Sequence, residues 1–250
     1  FWSKNTKLVP HNNIYLKFRK KTCTPFSAFL NFGPFTICSF SPERFIKLNN
    51  NIITTSPIKG TIKRSDDPVI DNQLKEELSS SEKNIAENLM IVDVLRNDIS
   101  RVSKKGSVEV TELAKIKSYK NVHHLVSTIK GLLAEKLDAI DLLFATLPGG
   151  SITGAPKIRA MEIISELEKN RRGVYCGAIG FISLSKDSDF NIPIRTLTIA
   201  DDTISINCGG GIVSDSNAES EYQESIDKIE NILRENRKKI IKQSSNVNQK

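Results

Sequence analysis

The chain has 250 residues, of which 38% are hydrophobic and 26% charged, and its formal net charge is +7. A chain of this length and composition folds as one globular domain, or at most two, around a substantial core, which excludes a disordered protein. No apolar run approaches the roughly 18 residues of a membrane span, and the first residues, Phe-Trp-Ser-Lys, lack a signal-peptide pattern, so we expect a cytoplasmic protein without membrane association.

Strand signals come first along the chain. Residues 26–40 mix aromatic and β-branched side chains around the turn signal Gly33-Pro34, which predicts two strands joined by a short loop. Asn49-Asn50-Asn51 predicts a second turn before another strand.

The pattern becomes helical after Pro68. Ser79-x-x-Glu82 matches a capping box. The apolar residues that follow have helical spacing: Ile85, Leu89, Val92 and Ile99. Together these signals predict a helix over about residues 82–97.

Two more helices are predicted downstream. One runs from about Asp138 to Leu147, and the next begins at Pro156, because proline is favoured in a first helical turn. The apolar stripe of this last helix consists of Ile158, Met161, Ile164 and Leu167. Such a stripe is typical of a helix that faces a core.

The last part of the chain returns to strands, predicted over residues 178–184, 192–200 and 203–208. A final helix opens at Ser216-x-x-Glu219. The residues it is expected to bury are Tyr222, Ile226, Ile229 and Leu233. Residues 237–250 are polar and basic, and we predict a disordered tail. Strands and helices do not alternate strictly, which favours a layered α+β fold over a Rossmann fold.

Two glycine clusters are candidate binding loops. The segment Pro148 to Lys157 is rich in glycine and leads into a predicted helix, whose N-terminal N–H groups attract anions. It is not a P-loop, because Ala155 stands where the lysine is required, so a smaller anion such as a carboxylate is expected. Gly209-Gly210-Gly211 follows a predicted strand and permits close approach of a ligand. Tight turns without a ligand are the alternative for both clusters.

Three glutamates are candidate metal ligands. Glu221 and Glu224 share a helix face with Lys228, although acids near a helix start also simply complement its dipole. Glu87 lies on a helix beside apolar positions, so its carboxylate is expected to be partly buried and to need a cation or a donor. Two or three acids from separate helices would suit Mg²⁺.

Other nucleophile and metal patterns are weak. His123-His124 has no zinc-motif spacing, although one of the two rings is a candidate hydrogen-bond donor to a substrate. Ser151 lacks the glycine pattern of a nucleophile elbow. The cysteines are far apart and are expected to be reduced and mostly buried: Cys23, Cys38, Cys176 and Cys208.

The charge distribution singles out one acid. Residues 1–64 carry eleven basic side chains and a single carboxylate, Glu43. Lys59 follows 16 residues later, between a proline and a glycine; by itself such a lysine is solvated surface. Since Lys outnumbers Arg 25 to 11, the basic charge reflects a compositional bias rather than a nucleic-acid ligand.

Nine motifs, in one order along the chain, resemble those of the chorismate-utilising enzymes. They are Ser41-Pro-Glu-Arg-Phe45, Pro57-Ile-Lys-Gly-Thr61, Ala86 to Asp93, Arg96-Asn-Asp98, His123 to Ser127, Pro148 to Lys157, Ile194-Arg-Thr196, Gly209 to Ile212 and Glu221-Tyr-Gln-Glu224. The resemblance implies an α+β fold in which helices surround a layered β-sheet sandwich. The family has a long N-terminal region that is mostly missing here, so residues 1–236 are expected to be the catalytic, chorismate-binding C-terminal portion.

Within this family, Lys59 favours the members that make 4-amino-4-deoxychorismate for folate synthesis, because anthranilate-forming members carry alanine there. The resemblance implies that Lys59 attacks C2 of chorismate while protonated Glu43 donates to the departing C4 hydroxyl. Ammonia from a glutamine amidotransferase subunit then attacks C4 and expels the lysine. Lys59 must be neutral to attack, and Glu43 must be protonated, so desolvation should raise the pKa of Glu43 above its usual ~4.3.

The resemblance also implies a set of ligands. Glu87 and Glu224 would bind Mg²⁺, with Glu221 close by. The expected substrate contacts are Gly60, Thr61, His124, Thr153, Gly154, Tyr175, Arg195, Gly209, Gly210, Gly211 and Lys228.

Two alternatives stay open. One is another reaction of the same family, forming anthranilate, isochorismate or salicylate. The other is an inactive fragment that binds an acidic partner through its basic first third. Dispersed lysines without interleaved aromatic residues argue against nucleic-acid binding.

Overall fold

The computed structural model describes residues 2–4, 10–201, 203–214 and 216–229, and in this part the chain is an α+β protein, as predicted. Its helices are α1 (His11–Thr22), α2 (Pro68–Ser80), α3 (Glu82–Ser100), α4 (Ala139–Thr146), α5 (Lys157–Leu167) and α6 (residues 218–229). Its strands are β1 (Trp2–Lys4), β2 (Phe26–Asn31), β3 (Phe35–Ser41), β4 (Arg44–Asn49), β5 (Ile52–Thr55), β6 (Ile58–Lys63), β7 (Glu109–Ser118), β8 (Val122–Leu132), β9 (Ile179–Ile182), β10 (Ser188–Asn191), β11 (Thr196–Ala200) and β12 (Thr203–Ile206).

The chain divides into two compact units. The terminal unit consists of Phe1–Pro42 and Pro193–Lys250, and the central unit is Glu43–Ile192. Each unit has its own antiparallel sheet, with the strand order β1-β12-β11-β3-β2 in the terminal unit and β6-β8-β5-β4-β10-β9 in the central unit, where β7 also pairs with β8.

The terminal unit packs α1 and α6 against its sheet. Phe18 of α1, Phe40 of β3 and Ile229 of α6 belong to one buried cluster, together with Leu197 and Ile199 of β11. Ile229 is fully buried, so it anchors a helix whose other described residues are mostly exposed. This anchor fixes which face of α6 carries the candidate ligands.

In the central unit, α3 packs on β8. Its buried face combines apolar and polar side chains: Asn88, Ile91, Val92, Leu95, Asp98 and Ile99. The Ser127 hydroxyl on β8 donates to the Asn88 side-chain carbonyl. Gly131 of β8 allows a close approach, since a Cβ there would lie 2.9 Å from a methyl carbon of Ile99.

The first predicted strands and turns are confirmed. β2 and β3 pair antiparallel around Gly33, and the Phe32 N–H donates to the Phe35 carbonyl at 3.0 Å. Asn50 and Asn51 both have positive φ in the turn between β4 and β5. Helices α1 and α2 were not predicted, because neither has a strong apolar period.

The helix α3 is confirmed, but its predicted capping box is wrong. Ser79 lies inside α2, where its hydroxyl donates to the Glu76 carbonyl at 2.9 Å. The N-cap is Ser81, whose oxygen accepts from the Asn84 N–H at 3.4 Å. Two helices meet at one serine here, which a single-helix pattern does not anticipate.

Helices α4 and α5 occur where predicted, but the stripe of α5 does not face a core. Within the described part of the chain, α5 has no buried residue, and Ile158 and Leu167 are each 75% exposed. The apolar periodicity therefore predicted the helix correctly, but its prediction that the stripe packs on a core was wrong.

The last strands are shifted from their predicted bounds. β11 begins at Thr196 rather than residue 192, because Pro193 cannot donate to a ladder and Arg195 has a positive φ of 51°. β10 was not predicted as a separate strand.

The last helix begins slightly later than predicted. α6 starts after Asn217, whose side-chain oxygen accepts from the Ser220 N–H at 3.1 Å. Tyr222 is exposed rather than buried, whereas Ile229 is buried as expected. Leu233 and the predicted tail 237–250 lie outside the described residues.

No helix in the described ranges is long and apolar enough to cross a membrane. All four cysteines are free; Cys38 and Cys176 are buried, Cys208 is partly buried and Cys23 is exposed.

Candidate active site

Glu43 immediately precedes β4 in the central unit. The next residue, Arg44, forms a two-pronged ion pair with Asp189 of β10, with N···O distances of 2.9 and 3.0 Å. The main-chain carbonyl of Glu43 accepts from the Ile192 N–H at 3.2 Å. Glu43 itself is buried, with only 8% of its surface exposed.

Burial controls the protonation of Glu43. Removal from water disfavours the carboxylate and raises the pKa of Glu43 from 4.5 to about 7. Hydrogen bonds from the Ser151 side chain and the Ile58 backbone, and the positive charge of Lys59, oppose this rise without cancelling it. A carboxyl group with this pKa can hold a proton near neutral pH and donate it.

A bulge in β6 places Lys59. The pairing of β6 with β8 shifts register between Ile58 and Thr61, and Gly60, within the shift, has φ +85°. A Cβ at Gly60 would lie 2.9 Å from Leu78 and 3.0 Å from Asn84. Glycine is therefore required here by both backbone conformation and space, and the bulge re-aims the neighbouring side chain.

Lys59 meets Glu87. Its Nζ donates to Glu87 Oε1 at 2.6 Å, and the two side chains are only 16% and 21% exposed. Glu87 is thus partly buried and has the cation that its position on α3 requires. The ion pair unites a candidate nucleophile with a candidate metal ligand, and the charge of Lys59 is also felt at Glu43.

Thr61 and His124 face each other across the β6–β8 pair. Thr61 Oγ1 lies 2.8 Å from His124 Nδ1, and the two residues are register partners. The adjacent His123 is fully buried, as expected from the alternation of side chains along a strand. Of the two adjacent histidines, it is therefore His124 whose ring contacts Thr61.

The glycine-rich loop packs tightly in the central unit. A Cβ at Gly150 would lie 2.7 Å from Val94 of α3, and one at Gly149 would lie 3.3 Å from Phe45. Thr153 Oγ1 donates to the Gly149 carbonyl at 2.9 Å, so its hydroxyl closes the loop. Gly154 follows with φ +143°. Close packing explains the first two glycines, and the loop presents Ser151 to Glu43.

Tyr175 is oriented by Arg172. The Arg172 guanidinium carbon lies 5.8 Å from the Tyr175 ring centre, and Nη1 donates to the Ile152 carbonyl at 3.1 Å. Arg172 also forms an ion pair with Glu168 at 2.6 Å. One arginine therefore connects the end of α5, the glycine-rich loop and Tyr175.

The terminal unit holds a second cluster, over Gly210. A Cβ at Gly210 would lie 2.9 Å from Glu221 Oε2, 3.6 Å from Lys228 Nζ and 3.7 Å from Glu224 Oε1. Lys228 Nζ donates to the Gly209 carbonyl at 3.1 Å and pairs with Glu224 at 2.6 Å. The predicted Glu221, Glu224 and Lys228 thus converge on the glycine run.

These carboxylates are suitable for a hard cation. Glu221 Oε1 accepts from the Ser216 hydroxyl at 2.7 Å, whereas Glu221 Oε2 is buried without a hydrogen-bond partner. An orphaned carboxylate oxygen beside a second carboxylate fits Mg²⁺, which takes one or two carboxylates and several waters. Within each unit, the described residues contain no group of three His, Cys, Asp or Glu side chains that forms a metal site.

Arg195 also belongs to the terminal unit. It precedes β11, has φ 51°, and its carbonyl accepts from the Phe40 N–H at 3.2 Å. Burial lowers the pKa of Arg195, because water no longer solvates its charge fully. A guanidinium in such surroundings favours an anionic ligand, and its fork matches a carboxylate.

The candidate residues are therefore divided between the two units, with a central cluster around Glu43 and Lys59 and a terminal cluster over Gly210. Glu43, Lys59, Glu87, Thr61 and His124 lie in the central unit with the glycine-rich loop and Tyr175. The terminal unit contributes Arg195, the glycine run and the α6 side chains. The sequence patterns do not identify Ser151 as a partner of Glu43 or Arg172 as a partner of Tyr175. The one available signal is a serine inside a glycine-rich loop.

The sequence matches one protein family, described as chorismate binding enzyme, over residues 3–234. It is 55% identical over 209 residues to aminodeoxychorismate synthase component 1 of Salmonella typhimurium, covering 84% of this chain and 46% of that protein. It is 43% identical over 233 residues to anthranilate synthase component 1 of Cereibacter sphaeroides, covering 93% and 46% of the two chains.

A solved structure has the same fold. The crystal structure of anthranilate synthase component I from Streptococcus pneumoniae is similar with a TM-score of 0.83 and 41% identity, covering 91% of this chain and 50% of that one. The chain spans about half the length of the bacterial relatives it matches. Because the family match extends over nearly the whole sequence, this chain belongs to the chorismate binding enzyme family.

Proposed function

We propose that this chain is the chorismate-converting part of an aminodeoxychorismate synthase, which replaces the C4 hydroxyl of chorismate by an amino group. The observation that carries the proposal is the pairing of a buried acid with a nearby lysine. Burial raises the pKa of Glu43 to about 7, and the charge of Lys59 is close enough to oppose that rise. Replacement of the C4 hydroxyl requires a proton donor and an amine nucleophile, and these two side chains can supply them.

The reaction proceeds in two displacements. Lys59 first gives a proton to the Glu87 carboxylate, which its Nζ contacts at 2.6 Å. The resulting neutral amine adds to C2 of chorismate, the two conjugated ring double bonds shift, and the C4 hydroxyl leaves as water after receiving the Glu43 proton. Ammonia then adds at C4 and passes a proton to Glu43, both double bonds shift back, and the C2–N bond to Lys59 breaks. The sum is chorismate and ammonia giving 4-amino-4-deoxychorismate and water.

Neighbouring groups prepare both side chains. The Ser151 hydroxyl donates to Glu43 and orients its carboxyl group. Glu87 accepts a hydrogen bond from Lys59 Nζ at 2.6 Å, which fixes the amine on its bulged strand. Chorismate carries two carboxylates, for which Arg195 and Lys228 are the proposed cationic contacts. Gly60, Thr61, His124, Thr153, Gly154, Tyr175 and Gly209 to Gly211 complete the proposed binding surface.

Mg²⁺ is the proposed cofactor. Glu87 and Glu224 are its proposed ligands, with Glu221 close by. The orphaned Glu221 Oε2 supports this assignment. When bound, the ion would supply positive charge to a carboxylate of the substrate.

The ammonia donor is proposed to be a glutamine amidotransferase subunit. The relatives' names call them component 1, which implies a second component. We also propose that the amino-substituting reaction, rather than anthranilate formation, is the native one. Lys59 supports this choice, and so does the higher identity to aminodeoxychorismate synthases than to anthranilate synthases.

The test is product identification by mass spectrometry. The purified chain is incubated with chorismate, Mg²⁺ and an ammonium salt, and the expected product retains the enolpyruvyl group and carries an amine in place of a hydroxyl. Release of pyruvate with formation of anthranilate would instead support the other reaction. Absence of both products, with chorismate recovered, would contradict the proposed activity of this chain.

A second measurement tests the nucleophile. Without ammonia, intact mass should show a chorismate adduct minus water on the wild-type chain, and Lys59→Ala should abolish it. Lys63→Ala is the matched control, because Lys63 is an exposed lysine at the end of the same strand. An adduct that persists in Lys59→Ala would overturn the assignment of Lys59.

A further inference from the structure

Asp71, in the first turn of α2, is the centre of a buried hydrogen-bond network outside the candidate site. It is 4% exposed. Its carboxylate accepts from Arg64 Nη2 at 2.8 Å, the Ser65 main-chain N–H at 3.1 Å and His123 Nε2 at 2.9 Å. The hydrogen bonds from Arg64 are the largest of several effects that hold the pKa of Asp71 well below its usual range. Asp71 is therefore ionised in the folded protein at neutral pH.

This anion fixes the ring of His123. A carboxylate can only accept hydrogen bonds, so His123 Nε2 carries a proton and donates it to Asp71. The other nitrogen, Nδ1, lies 2.8 Å from Ser118 Oγ. The ring is fully buried and is held at both nitrogens, between α2 and the end of β7.

Arg64 extends the network to the turn between β7 and β8. Its Nη1 donates to the Tyr119 carbonyl at 3.2 Å, and its main-chain N–H donates to the Asn121 carbonyl at 3.0 Å. The Tyr119 ring packs edge-on against the His124 ring, with centres 5.3 Å apart. The His124 ring also contacts Thr61, whose Oγ1 lies 2.8 Å from His124 Nδ1.

His124 is thus reached from Asp71 along two routes. One runs through His123, the preceding residue of β8, whose side chain leaves the strand on the opposite face. The other runs through Arg64 and the turn to Tyr119. We infer that Asp71 is a positioning residue that sets the orientation of the His124 ring. The inference rests on the proposed function only in taking His124 as a substrate contact.

Asp98 supplies a matched comparison. It is also a buried carboxylate of the central unit, 3% exposed, and pairs with Arg101 at 2.7 Å and Lys157 at 2.5 Å. Lys157 in turn donates to the Thr146 carbonyl at 3.0 Å, so this network joins α3, α4 and α5. None of these contacts involves β8 or the turn before it.

The experiment follows the histidine rings by NMR. The sequence has three histidines, His11, His123 and His124, so ¹⁵N-histidine labelling gives three resolvable imidazole spin systems, assigned with His124→Gln. Asp71→Asn should shift or broaden the His124 ring signals, because the amide cannot replace the carboxylate at Arg64 and His123. Asp98→Asn should leave them at their wild-type positions. Unchanged His124 signals in folded Asp71→Asn would overturn the inference.

A second variant covers the case in which Asp71→Asn does not fold. Arg64→Lys keeps the positive charge beside Asp71 but removes the fork that also reaches the Tyr119 carbonyl. His124 signals should shift in this variant too, and unaltered signals would overturn the inference.

Chorismate binding separates this inference from the proposed function. Added to the wild-type chain, chorismate should shift the His124 ring signals, and Asp71→Asn should weaken its binding on the order of tenfold relative to Asp98→Asn. If the variants move His124 but chorismate does not, His124 is no substrate contact, yet its positioning by Asp71 stands. If chorismate shifts His124 while Asp71→Asn leaves it unmoved, the positioning role fails and the substrate contact stands.

Discussion

Two lysine–glutamate pairs with the same N···O distance differ in how far they are exposed to solvent. Lys59 and Glu87 in the central unit are 2.6 Å apart and 16% and 21% exposed. Lys228 and Glu224 in the terminal unit are also 2.6 Å apart, but 34% and 54% exposed. The distance between opposite charges therefore says little about their energetic worth, because solvent screens the exposed pair more strongly.

The same contrast separates the chemistry of the two clusters. The central cluster contains Glu43, whose burial raises its pKa to about 7. The terminal cluster combines Glu221 with Glu224 and Lys228, whose side chains are 54% and 34% exposed. Proton transfer needs a desolvated acid, whereas binding a metal ion or a carboxylate needs charges that stay ionised. Under the proposed function, burial therefore suits the central cluster for proton transfer and the terminal cluster for binding a metal ion or a carboxylate.

The largest expected effect is on catalysis at Glu43. Glu43→Gln keeps the shape but removes the transferable proton, so the turnover number should fall about 10²- to 10⁴-fold. Steady-state product formation at saturating chorismate measures it, with Glu135→Gln, an exposed acid of the same unit, as control. Equal rates in the two variants would remove Glu43 from the reaction.

The raised pKa of Glu43 also makes stability depend on pH. The folded chain binds this proton more tightly than the unfolded chain, whose glutamate titrates near 4.5. The contribution of protonated Glu43 to the stability of the fold is therefore fully present below pH 4.5 and is lost as the pH rises through about 7. When the pH is raised from 5 to 8.5, the free energy of unfolding of the wild type should therefore fall by about 2.5 kcal/mol relative to that of Glu43→Gln.

Urea unfolding of both proteins at the two pH values measures this difference. A constant difference between wild type and variant would mean that Glu43 is not desolvated. Activity should depend on pH in the same direction as stability. Because proton donation needs protonated Glu43, activity should decline as the pH rises above about 7.

A smaller effect is expected at the terminal cluster. The Cβ of Gly210→Ala would lie 2.9 Å from Glu221 Oε2, and this side-chain end must move. Mg²⁺ binding, measured by isothermal titration calorimetry, should weaken about tenfold. The thermal unfolding midpoint should stay nearly the same, since only flexible side-chain ends adjust. Unaltered Mg²⁺ affinity would exclude Glu221 and its neighbours as the binding site.

The smallest effect concerns the exposed pair itself. Lys228→Ala should change the free energy of unfolding by less than about 0.5 kcal/mol, because exposed ion pairs contribute little. Urea unfolding at low and high salt measures it. A loss above about 1 kcal/mol would show that exposure does not distinguish the two pairs.

Local patterns in the sequence predicted much of the fold. The helix α3 and the hairpin of β2 and β3 depend on short-range periodicity and turn chemistry, and both are present. The apolar stripe of α5 has the same helical spacing as that of α3, but it is exposed rather than buried. Periodicity describes which side chains share a face, but it contains no information on what that face meets.

In the candidate site too, local patterns predicted some features and tertiary contacts decided others. Glu87 was expected to need a cation because it is a charge on a partly buried helix face, and Lys59 supplies it. Ser151, Arg172 and Asp71 were not identified, since the relevant contacts join them to partners 20 to more than 100 residues away along the chain. No local spacing marks such contacts.

By itself, the sequence determined the residue types, their order and the family to which they belong. These fix an amine at Lys59, a carboxyl group at Glu43 and glycines where the backbone must turn or pack closely. The tertiary structure decided the protonation of Glu43, the partner of Lys59 and the buried anchor of His123. The physical reason is that pKa values and ion-pair strengths depend on desolvation, and desolvation exists only once distant segments have packed together.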